Sequence, residues 1–309
     1  MRILLAPLAL VLLSSFPALA QKKAKAPAKT GLAVPAPLAA TPAAKVTVAS
    51  VHDRRSDTSV FKKLEIELEL PDVPGADVTA TRTFVTAAVD DTGRNLVPED
   101  AARGVSAMPM GRMPRSEEKP APARVTVELR NPARKATAVS SVAGEIELFM
   151  PGRDPNGTAT LPKFLSQPGR PLADPALKAN GVEVMVLGKE QLEAEKRRQI
   201  DKLRADAKKQ KISGERLEAM VEDLSYGFPK PEEGEVVLRV KAPEGRIQEI
   251  VCLDPAGEEK RVSTSEKQGF ILLSTWGDKP APDWSLRIRM KTPKTLARFA
   301  YALKDVPLP

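Results

Sequence analysis

Alternation with a period of two runs through most of the chain. In FKKLEIELEL, Leu64, Ile66, Leu68 and Leu70 fall on one face and Glu65, Glu67 and Glu69 on the other, the pattern of a half-buried strand. RVTVELR repeats it with Val125, Val127 and Leu129, and GEIELFM with Ile146, Leu148 and Met150. GVEVMVL does so with Val182, Val184 and Val186. WSLRIRM sets Trp284, Leu286, Ile288 and Met290 against Arg287 and Arg289. Many short alternating strands with turn residues between them predict a mainly β protein of antiparallel sandwiches.

One stretch breaks the period. In GKEQLEAEKRRQIDKLRADAKKQK, Leu192, Ile200, Leu203 and Ala207 fall within about 80° on a helical wheel, a narrow apolar stripe. Glu190, Glu193 and Glu195 come early and Lys208, Lys209 and Lys211 late, as the helix dipole prefers. Ser213-Gly214 ends the pattern, and Ser213 is expected to cap a second helix carrying Leu217, Met220, Val221 and Leu224. The prediction is a two-helix (αα-hairpin) insertion over 189–226, leaving after GVEVMVLG and returning at EVVLRVK. Its stripes either close on each other and the sandwich, or present Leu192, Ile200 and Leu203 to a protein partner.

The strands also recur in order. ELELPDVPGADVTATRTFVTAAVDDTGRNL and LRVKAPEGRIQEIVCLDPAGEEKRV each run strand, Pro with an acid, Gly, strand, then Asp-x-x-Gly. Asp90 and Asp254 are expected to start hairpin turns, with Gly93 and Gly257 supplying positive φ. A strand ending in x-Pro-x-basic follows each, VTVELRNPAR and RIRMKTPK, at similar intervals. The expectation is two immunoglobulin-like β-sandwich modules. Module 1 spans 46–150, with a long loop over 98–123. Module 2 spans 151–309 and carries the helical insertion.

Composition changes the picture at the N-terminus. Residues 1–20 carry Arg2, an apolar run over Ile3–Phe16 and the small-x-small Ala18-Leu19-Ala20 of a cleaved signal peptide. Gln21, not Cys, would begin the mature chain, which disfavours a lipid anchor. Residues 21–45 are Lys, Ala and Pro, a disordered linker that can reach roughly 70–80 Å when extended. No later segment is apolar for long enough to cross a bilayer. The chain is expected in the bacterial periplasm or outside the cell. The net charge of +8 suggests nucleic acid, but residues 1–45 contribute six of those charges and the remainder is nearly balanced. A nucleic-acid binder concentrates base on a folded face. Cys252 is the one cysteine, so no intrachain disulfide forms, and its strand position predicts a buried, inert thiol.

Candidate chemistry is thin. His52 is the one histidine, so any Ser-His or Cys-His site must use it, and no GxSxG accompanies it. SxxK occurs at Ser59–Lys62 and again at Ser116–Lys119, without the SDN and KTG elements of the penicillin-binding enzymes. Asp91-Thr92-Gly93 has no second copy to share a proton with, so a hairpin turn accounts for it better than aspartic-protease chemistry. Met108, Met110 and Met113 are three thioethers that can take a soft ion such as Cu(I), or serve as an adaptable apolar contact. Of Trp276 and Trp284, the second has core parity.

The leader, the strand pattern and the final FAYALKDVPLP strand resemble secreted bacterial proteins built from tandem immunoglobulin-like sandwiches. That resemblance implies no catalytic residues. The expectation is a non-enzymatic exported protein, without a cofactor, that acts in adhesion, scaffolding or envelope protein interaction. A Cu-binding Met loop and an envelope hydrolase are the rivals.

Overall fold

The computed structural model describes residues 45–54, 63–107, 121–260, 262–267, 269–275 and 279–309. Along the chain the strands are β1 (Thr47–Asp53), β2 (Leu64–Pro74), β3 (Ala80–Asp90), β4 (Val105–Ala107), β5 (Pro122–Leu129), β6 (Ala138–Phe149), β7 (Thr158–Pro162), β8 (Glu183–Leu187), β9 (Val236–Lys241), β10 (Ile247–Leu253), β11 (Glu259–Lys260), β12 (Val262–Lys267), β13 (Phe270–Thr275), β14 (Ser285–Met290) and β15 (Leu296–Pro307). The α-helices are α1 (Pro175–Ala179), α2 (Lys189–Lys209) and α3 (Glu215–Gly227). The fold is mainly β and its strands pair antiparallel, as the alternation predicts.

Among the described residues four sheets form: β1-β2-β5, β15-β6-β3-β4, β7-β14-β10-β11 and β8-β9-β13-β12. The first two close on one core, where Leu64, Ile66 and Leu68 meet Ile146, Leu148, Phe299 and Tyr301. The other two close on a second, with Val184, Val186, Leu238, Cys252, Leu286 and Ile288. On the outer face of β2 the glutamates find cations. Glu65 lies opposite Glu128 in register, and Lys63 Nζ bridges the two at 2.8 and 2.7 Å. A like-charge cross-strand pair is thereby neutralised.

The strand order is the same in both halves. β1, β2, β5 and β6, β3, β4 match β8, β9, β13 and β14, β10, β11 by position in their sheets. The turns match as well. Asp90 Oδ1 accepts the N–H groups of Thr92 and Arg94 at 2.9 Å each, and Gly93 sits at φ 85°. Asp254 Oδ1 accepts those of Ala256 and Glu258 at 2.9 Å each, with Gly257 also at φ 85°. Those Asp-x-x-Gly pieces therefore do the turn chemistry expected of them.

Two expectations are corrected. The expected second module includes residues 296–309, but β15 pairs with β6 from Leu296↔Phe149 to Pro307↔Ala138. Its Ala297, Phe299, Tyr301 and Val306 lie in the first core. The edge position beside β14 is filled by β7, which comes before β8 in the chain. Likewise, RVTVELR and RIRMKTPK are not counterparts: β5 lies beside β2, whereas β14 lies between β10 and β7. Period-two patterning names a strand's buried face and not its neighbour, which explains both errors.

The chain thus leaves β6 through 150–157 and returns to β15 through 291–295. The two connections are bonded to each other. Thr292 Oγ1 donates to Asp154 Oδ2 at 2.6 Å, and the Met150 N–H donates to the Thr295 carbonyl at 2.7 Å. The Met290 N–H donates to the Gly157 carbonyl at 2.8 Å. A Cβ on Gly157 would stand 2.5 Å from the Pro151 carbonyl and 2.6 Å from Thr295 Cγ2, so only glycine fits at this crossing.

Asp90 supplies a pH prediction. Burial alone would raise its pKa, but donation from Ala133, Thr92 and Arg94 outweighs it and holds the carboxyl at about 2. A depressed folded-state value gives stability that is present above the unfolded carboxylate pKa near ~4 and lost as pH falls toward about 2. Asp90→Asn should therefore lower stability at pH 7 by on the order of 1–2 kcal/mol, allowing for solvent screening. It should also flatten the decline between about pH 4 and pH 2, as read by denaturant melts across that range.

Candidate functional site

The helical insertion is anchored on a sheet with two buried faces. In β8, β9 and β13, one set of side chains (Val184, Val186, Val236, Leu238, Leu273) faces the second core. The alternate set (Leu187, Val237, Phe270, with Met185 and Leu272 beside them) forms a third cluster with Leu192 of α2 and Phe228 just after α3. The Phe228 and Phe270 rings lie 5.2 Å apart, tilted by 44°. Such a pair adds about 0.5–1.5 kcal/mol beyond its buried area. Arg239 of β9 reaches Glu195 at 3.4 Å, and Glu195 also takes Arg198 at 2.6 Å. Burial pushes the Glu195 pKa up, but the hydrogen bonds from Arg198 and Gln199 and the charges of Arg198 and Arg239 bring it below the usual range.

The three residues proposed for a partner separate here. Leu192 is 5% exposed and belongs to the third cluster, so it is not available to a partner. Ile200 and Leu203 are half-buried and enter none of the three cores. At about 1.5 Å per residue α2 is roughly 31 Å long, and Leu192 near its start is its one contribution to a core. Beyond that anchor, α2 runs against α3 as an arm. Lys211 and Gly214, at φ 57° and 64°, make the turn. Gly214 stands at the N-cap of α3 with no side-chain cap, so Ser213 does not cap as expected. At the arm's base Tyr226 is 80% exposed, beside buried Phe228 and Pro229.

His52 is an exposed residue within β1, 3.3 Å from Ser50 Oγ. The Ser50 hydroxyl donates to Glu67 at 3.0 Å, so the histidine is not positioned to take its proton. Cys252 is fully buried, and burial pushes its thiol up to about 11. Trp284 is buried in the second core. Met108, Met110 and Met113, both SxxK stretches and Trp276 lie outside the described residues. Among the described residues, no group of three or more His, Cys, Asp or Glu is gathered to hold a metal. No helix among them is long and apolar enough to cross a membrane.

No protein-family model matches the chain, and searches of curated proteins and of solved structures return no match.

The other distinctive place is a cleft of about 180 Å³ where the outer face of the β15-β6-β3-β4 sheet meets the second half of the chain. Arg82, Ser106 and Glu147 line one wall and Gln248 and Lys291 the other. Glu147 Oε2 accepts from Arg298 Nε at 2.9 Å and Nη2 at 2.8 Å. Periodicity gives no sign of this cleft, because its residues come from five separated stretches. Nothing in the helical pattern marks Tyr226, whose 80% exposure is seen only in the fold.

The anchor can be tested by removing one ring. Phe228→Ala should lower unfolding free energy by roughly 3 kcal/mol. It should also speed amide exchange across 189–227 while strands of the second core stay protected. Unchanged exchange in the arm would show that Phe228 does not hold it.

Proposed function

We propose that this chain is a non-enzymatic exported protein of the bacterial envelope, built from two immunoglobulin-like modules that hold out the α2–α3 arm to bind another protein. The observation that carries the reading is the arm itself. It is fixed at its root by Leu192, Phe228 and the Arg239–Glu195 pair, while Ile200 and Leu203 stay outside every core and Tyr226 is displayed at its base. A rigid root with an exposed tyrosine beside it suits protein recognition, where aromatic side chains supply most of the contact energy. The leader and the 21–45 spacer fit export and standing off a surface.

The immunoglobulin-like reading draws on strand order. Taken as β1, β2, β3, β4, β5, β6 and β15, the first half pairs as 1-2-5 and 7-6-3-4. That is the immunoglobulin order with the fourth strand moved to the opposite sheet. The second half shows the same arrangement, with β7 in the seventh place and β12 as an extra edge strand. In this reading each module has taken the other's last strand: β7 follows β6 yet pairs with β14, and β15 follows β14 yet pairs with β6. A fragment ending at residue 150 lacks the strand that brings Phe299 and Tyr301 into its core. The fragment 46–150 should therefore show no cooperative melt. Replacing 150–295 by a short turn, which joins the register partners Phe149 and Leu296, should restore one. A cooperative melt of 46–150 alone would refute the exchange.

The binding reading is tested by affinity capture from envelope extract with the full chain, with Tyr226→Ala, and with Ile200→Glu paired with Leu203→Glu. A specific partner should bind the full chain and lose at least about tenfold in affinity to one of the variants, each checked for an intact melt. Retention by both variants would remove the arm as the recognition element.

A further inference from the structure

We propose that the cleft between the two halves of the chain binds a small dianionic oxyanion, phosphate-like in charge and shape, between the Arg82 guanidinium and the Lys291 ammonium. This goes beyond the arm and does not depend on it. Ser106, Arg82, Glu147 and Arg298 are successive register partners across β4, β3, β6 and β15, forming one straight polar row on the outer face of that sheet. Lys291 stands over the row from the connection that follows β14. Its backbone is pinned, for its N–H donates to the Arg246 carbonyl and its own carbonyl accepts from Arg246 Nη1, both at 2.7 Å.

The charges around the cleft do not balance. Glu147 is its one carboxylate, and Arg298 already engages it with two hydrogen bonds. Arg82 Nε donates to Ser106 Oγ at 3.0 Å, a neutral partner. Among the described residues neither Arg82 nor Lys291 forms an ion pair, so two positive charges face the same space. Burial lowers the Lys291 pKa and the Arg82 charge lowers it further, against an opposing pull from Glu147. A surplus of two matches a dianion better than a carboxylate. The volume, about 180 Å³ against about 30 Å³ for a water, admits one. A planar guanidinium and a compact ammonium make a well-suited pair for such a ligand. The bound ion would tie a strand of the first core to a connection of the second.

The test is titration of the full chain with inorganic phosphate at fixed ionic strength, followed by calorimetry and thermal melting, with chloride as reference and acetate as the carboxylate arm. Phosphate should give a saturable heat and raise Tm, and acetate should do much less. Arg82→Gln and Lys291→Met should each weaken phosphate binding by about tenfold or more, while melting in chloride at or above the parent Tm. A variant that melts lower in chloride is judged by its calorimetric affinity alone. The proposal fails if phosphate acts no differently from chloride, or if both variants bind it as the parent does. Equal response to acetate would overturn the dianion assignment.

Discussion

The pairing of β6 with β15 is the constraint on which the rest of the structure depends. It joins strands separated by the entire second half of the chain, and it completes a core that β1–β6 leave open at Phe299 and Tyr301. Residues 150–157 and 291–295 must therefore pass each other, and the polar groups buried between them need partners. Asp154, Thr292 and Thr295 meet that need among themselves and the neighbouring backbone. Gly157 is the place where the Pro151 carbonyl of its own connection and the Thr295 methyl of the other leave no room for a side chain. This is a non-local closure, so each core's geometry bears on the other's.

The second half carries helices where the first carries solvent because of what lies on the outer faces of its strands. β2 presents Glu65, Glu67 and Glu69, which suit water and cross-strand cations. The equivalent β9 presents Val237, and β13 presents Phe270 and Leu272, which need a cover. Leu192, Leu224 and Phe228 provide it. The arm is thus a consequence of a sheet buried on both faces, and the sheet would be an exposed apolar surface without it.

Much of this was legible in the sequence, for reasons that can be named. Leu64-x-Ile66-x-Leu68 announces a strand because burial on one face forces a period of two. Asp90 and Asp254 announce turns because a short carboxylate closes a loop on its own backbone. The helices announced themselves by the change of period. The rest is hidden for physical reasons too. FAYALKDVPLP reads as an edge strand of whatever precedes it, and nothing local in Phe299 or Tyr301 says that the partner is Ile146 and not Ile288. In VEVMVL a period of two marks the valines, yet Met185 and Leu187 carry the signal of a second buried face. Arg82 and Lys291 look like ordinary surface cations until register sets Arg82 beside Glu147 and the crossover sets Lys291 above them.

The distribution of charge follows the fold. Several carboxylates are tied to structure: Asp90, Asp154 and Asp254 to turns and the crossover, Glu65, Glu67, Glu69 and Glu128 to ion pairs, Glu195 to the arm's root. Where the partners are backbone N–H groups, as at Asp90 and Asp254, the carboxyl is held below its usual range and closes the turn in its charged form. Tyr226, displayed outward, and Arg82 and Lys291, which face one cleft, are placed differently, with no opposite charge among the described residues paired to either cation. They sit at two places that period-two patterning does not announce, the base of the arm on its doubly buried sheet and the cleft beside the crossing of the two connections.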